Sequence, residues 1–161
     1  MVAKVNPVPK DLHAVTPALT IRGCGKAIEF YKRALGAELL MLAPAPDGRS
    51  VWHAAMRIGN SVVFMNDEMP GMTGQPPSPA NPAPVGFWLY GPDCDAAFKQ
   101  AMEAGATVKM PPADMFWGDR TGTVVDPFGY MWTFATHVKD MTEAEMQRAS
   151  EEFVKAMGSR R

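Results

Sequence analysis

The sequence predicts an α+β fold: two βαβββ repeats form curved mixed sheets around a central cavity, and a C-terminal helix follows. Three observations predict it. The order strand, helix, three strands is legible twice along the chain; Gly36 and Gly59 recur at nearly one offset as Gly105 and Gly129; and a proline-rich stretch parts the two copies. Each repeat has one apolar sheet face for its helix to cover, which leaves the other faces to curl around a pocket.

In the first repeat, Val15 to Ile21 reads as a strand stopped by Arg22-Gly23. Gly25 to Gly36 reads as a helix, because Ala27, Ile28, Tyr31, Ala34 and Leu35 fall at helical spacing and Gly36 suits a C-terminal cap. Ala37 to Leu42 is a second strand, and Val51 to Ile58 with Ser61 to Met65 make a hairpin about Gly59-Asn60. Residues 69 to 84 carry Pro70, Pro76, Pro77, Pro79, Pro82 and Pro84, too many missing N–H groups for an element interior. The second repeat runs through strand Val85 to Tyr90, helix Asp93 to Glu103 and strand Thr107 to Met110. A hairpin, Gly122 to Val125 with Tyr130 to Thr136, turns at Asp126-Pro-Phe-Gly129.

Thr142-Glu-Ala-Glu145 is a capping box. Met146, Ala149, Phe153 and Met157 then form an apolar stripe, which packs on its own domain or clasps a partner subunit. The organisation is an arm (1–12), a first module (13–68), a linker (69–84), a second module (85–137) and a C-terminal helix and tail (138–161).

Composition narrows the function. Sixteen basic against 17 acidic residues give a net charge of -1, without the basic excess that nucleic acid binding calls for. No apolar run is long enough to span a membrane, and the N-terminus has no signal-peptide core. Cys24 and Cys94 fit neither a disulfide framework nor a zinc pattern, so they read as thiols in a reducing compartment. The expectation is a cytoplasmic protein that meets neither nucleic acid nor membrane.

Ala27-Ile-Glu-Phe-Tyr-Lys-Arg-Ala-Leu-Gly-Ala37, Asp126-Pro-Phe-Gly129 and the duplicated order resemble the vicinal oxygen chelate superfamily. This group includes glyoxalase I, extradiol dioxygenases, fosfomycin resistance enzymes and bleomycin-binding proteins. Phe116-Trp-Gly-Asp-Arg120, followed by Asp126-Pro-Phe-Gly129 and Trp132, is closer still to its PhnB-like branch. The resemblance implies a metal held by one residue from each of four strands, usually His, Gln or Glu. Carried over, those positions are Thr16, His53, Gly86 and Thr133. Glycine offers no donor and threonine a weak neutral one, so no metal and no cofactor is expected in the family manner. A different site using His13 or His137 beside His53 stays open, although strand alternation places His137 at or past its strand end.

Alternation puts His53, Ala55 and Arg57 on the cavity face of their strand, with Trp52, Ala54 and Met56 toward the helices. His53 is the candidate catalytic acid or base, or else a histidine satisfied by protein and water. Trp88 and Tyr90 share the cavity face with Gly86 and offer flat area to a ring, unless they are plain core. Phe116 and Trp117 suggest a lid, with Arg120 as an anion clamp or as the ion-pair partner of Asp119. The resemblance implies a histidine after the Asp126 turn, where this chain has Tyr130. Met65, Met110, Met115 and Met131 fall near the cavity and suit either an adaptable wall or gap-filling.

Three readings follow. The first is a metal-independent binding protein for a small aromatic or amphipathic molecule, with Thr16, His53, Gly86, Trp88, Tyr90, Phe116, Trp117, Arg120 and Thr133 around the ligand. The second is a lyase or isomerase on a small carbonyl or thiol-derived substrate, using His53 and Arg120. The third is a dimeric interaction module with a vestigial pocket. A homodimer is expected under each.

Overall fold

The computed structural model describes residues 6–158, with side chains to Ala156. The chain runs β1 (Ala18–Ile21), α1 (Cys24–Leu35), β2 (Glu38–Pro44), β3 (Val51–Ile58), β4 (Ser61–Asp67), β5 (Gly86–Tyr90), α2 (Cys94–Ala104), β6 (Thr107–Asp114), β7 (Asp119–Val125), β8 (Met131–His137) and α3 (Glu143–Gly158). Two four-stranded sheets result, ordered β1-β4-β3-β2 and β5-β8-β7-β6. The first and last strand of each repeat pair in parallel and the remaining neighbours antiparallel, so each sheet is mixed. The predicted α+β architecture with a C-terminal helix is the one observed.

Helix α1 forms where its apolar residues align: Ala27, Ile28, Tyr31 and Ala34 are buried, and Gly36 closes it in the left-handed conformation (φ 62°). Its N-terminus is capped from a distance. The Asp67 carboxylate, at the end of β4, accepts from the Gly23 and Cys24 N–H groups at 2.9 and 2.8 Å. The second repeat uses the equivalent strand end, with Thr136 Oγ1 accepting from Cys94 N–H at 2.8 Å. These caps tie each helix to the last strand of its own sheet. The cysteines they flank are buried free thiols; burial pushes Cys24 up to about 12 and raises Cys94 as well, which favours the protonated thiol at both.

The core lies where α1 and α2 meet each other and the covered faces of their sheets. Leu19, Ile21, Ala54, Met56 and Met65 fill the first half, and Val124, Trp132 and Phe134 the second. Ladder hydrogen bonds run within each sheet and not between the two, so the sheets are not closed into a barrel. The space between the repeats is an open cleft.

Several boundaries differ from expectation. Strand β1 begins at Ala18, which leaves Thr16 in the preceding loop. Strand β6 continues through Pro111-Pro112 to Asp114, tolerated because it is an edge strand whose register shifts between Met110 and Ala113. Strand β7 begins at Asp119, three residues before the expected Gly122, and β8 ends on His137, one residue past the expected Thr136, so that Asp119 and His137 pair. Residues 69–84 hold no helix or ladder strand, only a bridge between Ser78 and Asn81.

The capping box forms at α3: Thr142 N–H donates to Glu145 Oε2 at 2.9 Å, and Glu145 N–H to Thr142 Oγ1 at 3.3 Å. The helix rests on its own chain through Phe153 against Phe116, ring centres 5.2 Å apart. Phe153 stays 46% exposed, so this contact only partly covers the apolar stripe. The Met157 side chain, the first five residues of the arm and the last three of the tail lie outside the described residues. Among the described residues, no helix is long and apolar enough to cross a membrane.

Candidate functional site

Strand alternation on β5 sends Phe87 and Leu89 toward the core and Trp88 and Tyr90 to the open face. Trp88 and Tyr90 remain 51% and 58% exposed, unusual for rings of that size on a sheet. Their centres are 6.2 Å apart with planes tilted by 31°, and Trp117 continues the array 6.3 Å from Trp88. A cleft of about 500 Å³ opens beside them. The cleft runs along the free edge of β5, so Trp88 and Tyr90 reach it from the open face and Phe87 and Leu89, with Trp132, from the core face, while Pro17 and the Ile58-Gly59-Asn60-Ser61 hairpin tip of the first repeat lie opposite. Its lining includes no Asp, Glu, Lys, Arg or His. A space of this size suits a small organic molecule.

Behind the aromatic array lies a cluster that sequence reasoning did not assemble. Asp119 is 4% exposed, and its carboxylate is a hub. Oδ2 accepts from the Tyr90 hydroxyl at 2.8 Å and from Trp117 Nε1–H at 3.0 Å, while Oδ1 meets His137 Nδ1 at 2.7 Å. Burial opposes ionisation of Asp119, but the His137, Tyr90 and Trp117 donors outweigh it and hold the carboxyl below its usual range. The other ring nitrogen of His137 meets Asp140 Oδ1 at 3.0 Å. Hydrogen bonds to Asp119 and Asp140 raise the His137 imidazole above its ordinary value. Carboxylates at both nitrogens favour the doubly protonated ring, which donates on both sides.

The clamp assigned to Arg120 is not formed. Alternation along β7 sends Asp119, Thr121 and Thr123 to the open face and Arg120 to the opposite one. There its guanidinium is taken up by Asp95 of α2 (Nη2 to Oδ1, 2.8 Å) and Asp114 (3.0 Å). Those hydrogen bonds raise its pKa further, so Arg120 is a permanent cation committed to a structural pair. The alternative ion pair with Asp119 is corrected as well, since adjacent strand residues face apart. Phe116 and Trp117 do form a folded loop, edge to face at 5.0 Å, with Trp117 joining the array and Phe116 meeting α3.

The remaining candidates are not brought together. His53 lies half-buried on the open face of β3, edge-on to Phe64 with ring centres 4.8 Å apart, and does not line the cleft. Trp52 is 46% exposed, past the reach of α1, whereas Ala54 and Met56 are fully covered as expected. Thr133 is buried with its hydroxyl 2.9 Å from that of Thr123. Gly86 opens β5 beside Met131, and Thr16 donates to the His13 carbonyl at 3.4 Å. Of the methionines, Met65 is core, Met110 is exposed, and Met115 and Met131 are half-buried.

The four-ligand metal site fails on its donors: one imidazole, two threonine hydroxyls already in hydrogen bonds and a glycine. Among the described residues, no group of three or more His, Cys, Asp and Glu side chains is placed to hold an ion. Tyr130, in the place of the turn histidine, is buried and donates its hydroxyl to Thr20 O at 2.8 Å, a link between repeats.

A sequence model of the Glyoxalase/Bleomycin resistance protein/Dioxygenase superfamily matches residues 12–134, most of the chain and both repeats. The chain belongs to this superfamily. Within it, an uncharacterized protein of Mycobacterium bovis is 40% identical over 139 residues, covering 84% of this chain and 91% of that one. An anthracycline biosynthesis protein of Streptomyces peucetius is 36% identical over 133 residues, 79% of this chain but 42% of that longer one. Among solved structures, a gene product of Arabidopsis thaliana superposes with a TM-score of 0.62 at 27% identity, covering 77% of this chain and 98% of that one. Superfamily membership accounts for the paired βαβββ units and leaves the ligand to the particular side chains.

Proposed function

We propose that this superfamily member is a metal-independent small-molecule binding protein of the bleomycin-resistance type, in the PhnB-like branch, holding an uncharged planar aromatic or amphipathic ligand. The observation that carries the reading is the exposed pair Trp88 and Tyr90 at the mouth of the 500 Å³ cleft. Covering two such rings returns roughly 25 cal/mol for each Å² of apolar surface removed from water, and their shared tilt suits a flat partner. Asn60 and Ser61 offer polar contacts without charge, and Arg120 faces away, which argues against an anionic ligand. The relative named for anthracycline biosynthesis supports an aromatic one.

The assembly in this reading is a homodimer in a reducing cytoplasm. Leu40, Met41 and Leu42 on edge strand β2, and Val108 and Met110 on edge strand β6, are exposed apolar residues that a second copy would cover. Light scattering should give twice the 17.5 kDa chain mass.

The binding reading is tested by titrating a panel of neutral planar aromatics, with anthraquinone as first probe, into wild-type protein and Trp88→Ala. Binding at one site per chain that weakens in the variant supports it; a panel without a binder overturns it. The lyase or isomerase alternative draws on one observation, the imidazole of His137 backed by buried Asp119 on the open face. Turnover of a small carbonyl or thiol-derived substrate, lost in His137→Gln, would favour that reading instead.

A further inference from the structure

We infer that Asp119 and His137 are positioning residues, forming a proton-dependent bracket that sets the aromatic array and joins it to residues 138–142, the C-terminal arm that carries α3. The inference rests on the proposed binding site only in treating Trp88, Tyr90 and Trp117 as its wall; the bracket itself is geometric.

The Asp119 carboxylate gathers groups from three places at once: Tyr90 from β5, Trp117 from the 115–118 loop and His137 from β8. The Trp117 indole packs on Trp88 and Phe116, and its Nε1–H bond to Asp119 fixes which edge it turns to the sheet. The loop is also pinned from outside. Val138 and Lys139 N–H groups both donate to Gly118 O, at 2.9 and 3.0 Å, which lays the start of the arm directly on the loop. Phe116 then meets Phe153, so the connected sequence is Trp88, Trp117, Phe116, Phe153.

His137 stands between the buried carboxylate and the exposed arm. Doubly protonated, it donates to Asp119 and to Asp140. Once neutral, it keeps one N–H; the Asp119 bond can persist, but the lone pair then faces the Asp140 carboxylate and that contact is lost. The charged and titratable groups facing this point are Asp119 on β7, Tyr90 on β5 through Asp119, Asp140 and Lys139 on the arm, and Glu145 on α3 paired with Lys139 at 3.3 Å. Arg120 faces away, held by Asp95 and Asp114. The folded imidazole titrates above its unfolded value, so both of its contacts are present below the ordinary histidine range, and the positive charge beside Asp119 and the Asp140 contact are lost as pH rises through the elevated folded value.

The test needs no ligand. The ¹⁵N-labelled indole resonance of Trp117, assigned with Trp117→Phe, is followed with the His137 ring signals from about pH 5.5 to about pH 9, the range of histidine titration. The expected result is one shared midpoint for Trp117 and His137. Trp117 loses its step in His137→Gln, and the midpoint falls in Asp140→Asn, which keeps the arm but removes its charge. A Trp117 resonance that does not titrate, or one whose step survives in His137→Gln, overturns the inference. Asp140 is fully exposed, and Gln at 137 keeps an N–H to offer Asp119; far-UV circular dichroism matching wild type establishes that both variants are folded before they are compared. A ligand panel that fails while the shared midpoint is found would remove the binding reading and leave the bracket standing.

Discussion

Tyr31 of α1 donates its hydroxyl to the Asp126 carboxylate of the second repeat at 2.7 Å, with both side chains buried. The same carboxylate accepts from Trp132 Nε1–H at 3.0 Å and from the Phe128 and Tyr130 N–H groups at 2.8 and 2.9 Å. The turn motif and the helix motif that carried the resemblance are therefore two halves of one joint between the repeats. Phe30 and Tyr31 also pack edge-on against Phe128, so apolar contact surrounds the polar link.

Removing the phenol hydroxyl should expose how that carboxylate is tolerated. Desolvation raises Asp126 above the usual carboxylate range, and the Tyr31 bond is the first influence that lowers it. With its folded pKa raised, Asp126 favours folding in acid and loses that advantage as pH climbs through the folded value. Tyr31→Phe raises that value further and leaves the buried anion short of a donor, at a cost of about 1–3 kcal/mol. Urea unfolding should show a deficit that is larger at neutral pH than in acid. A deficit independent of pH would mean that the bond does not stabilise the charged form.

Trp88→Ala should leave stability nearly unchanged, since half of the ring is already in water. Its effect belongs to binding. Loss of an aromatic anchor that becomes covered only with ligand should weaken affinity by about 2 kcal/mol or more. Calorimetric titration with anthraquinone reads this directly. An unchanged affinity in the variant would move the ligand away from β5.

The parts of this structure legible in the sequence are those set by local periodicity. Alternation along β5 and β3 predicts the faces of Trp88, Tyr90, Ala54 and Met56, and the apolar spacing of α1 predicts its buried side. The bracket was not legible because it depends on register. Asp119 sits opposite His137 in the β7–β8 ladder, a pairing fixed by the Asp126 turn and by where the strands end. Counting back from that turn by twos through Thr123 and Thr121 reaches Asp119, and counting forward through Thr133 and Ala135 reaches His137. The signal is present, but strands that start at Gly122 and stop at Thr136 are too short to use it. Arg120 illustrates the same error, since in a loop its direction is free and in a strand it must oppose Asp119.

Chelation should leave the protein unaffected. The family-equivalent positions supply one imidazole, and no other cluster of donors converges among the described residues. Thermal unfolding of freshly purified protein with and without a strong chelator should give coincident midpoints, and elemental analysis should find no stoichiometric metal. A midpoint that falls on chelation would point to ligands drawn from a second copy of the chain, because the described residues of one copy bring no such cluster together.

Gly118 should be the most sensitive single position in the loop. Its φ is +95°, which disfavours a side chain, and a Cβ there would overlap the Lys139 carbonyl and crowd Met141. The close approach exists because Val138 and Lys139 both donate to the Gly118 carbonyl, which draws the arm onto the loop. Gly118→Ala must therefore lift the arm or distort the loop, and overpacking together with backbone strain costs about 2–4 kcal/mol. Lifting the arm is the easier path, since Asp140 and α3 are mostly exposed while Asp119 is buried. Hydrogen exchange should accordingly quicken in residues 138–146 and leave β7 protected. Protection lost from β7 to the same extent would show that Gly118 holds the sheet edge rather than the arm.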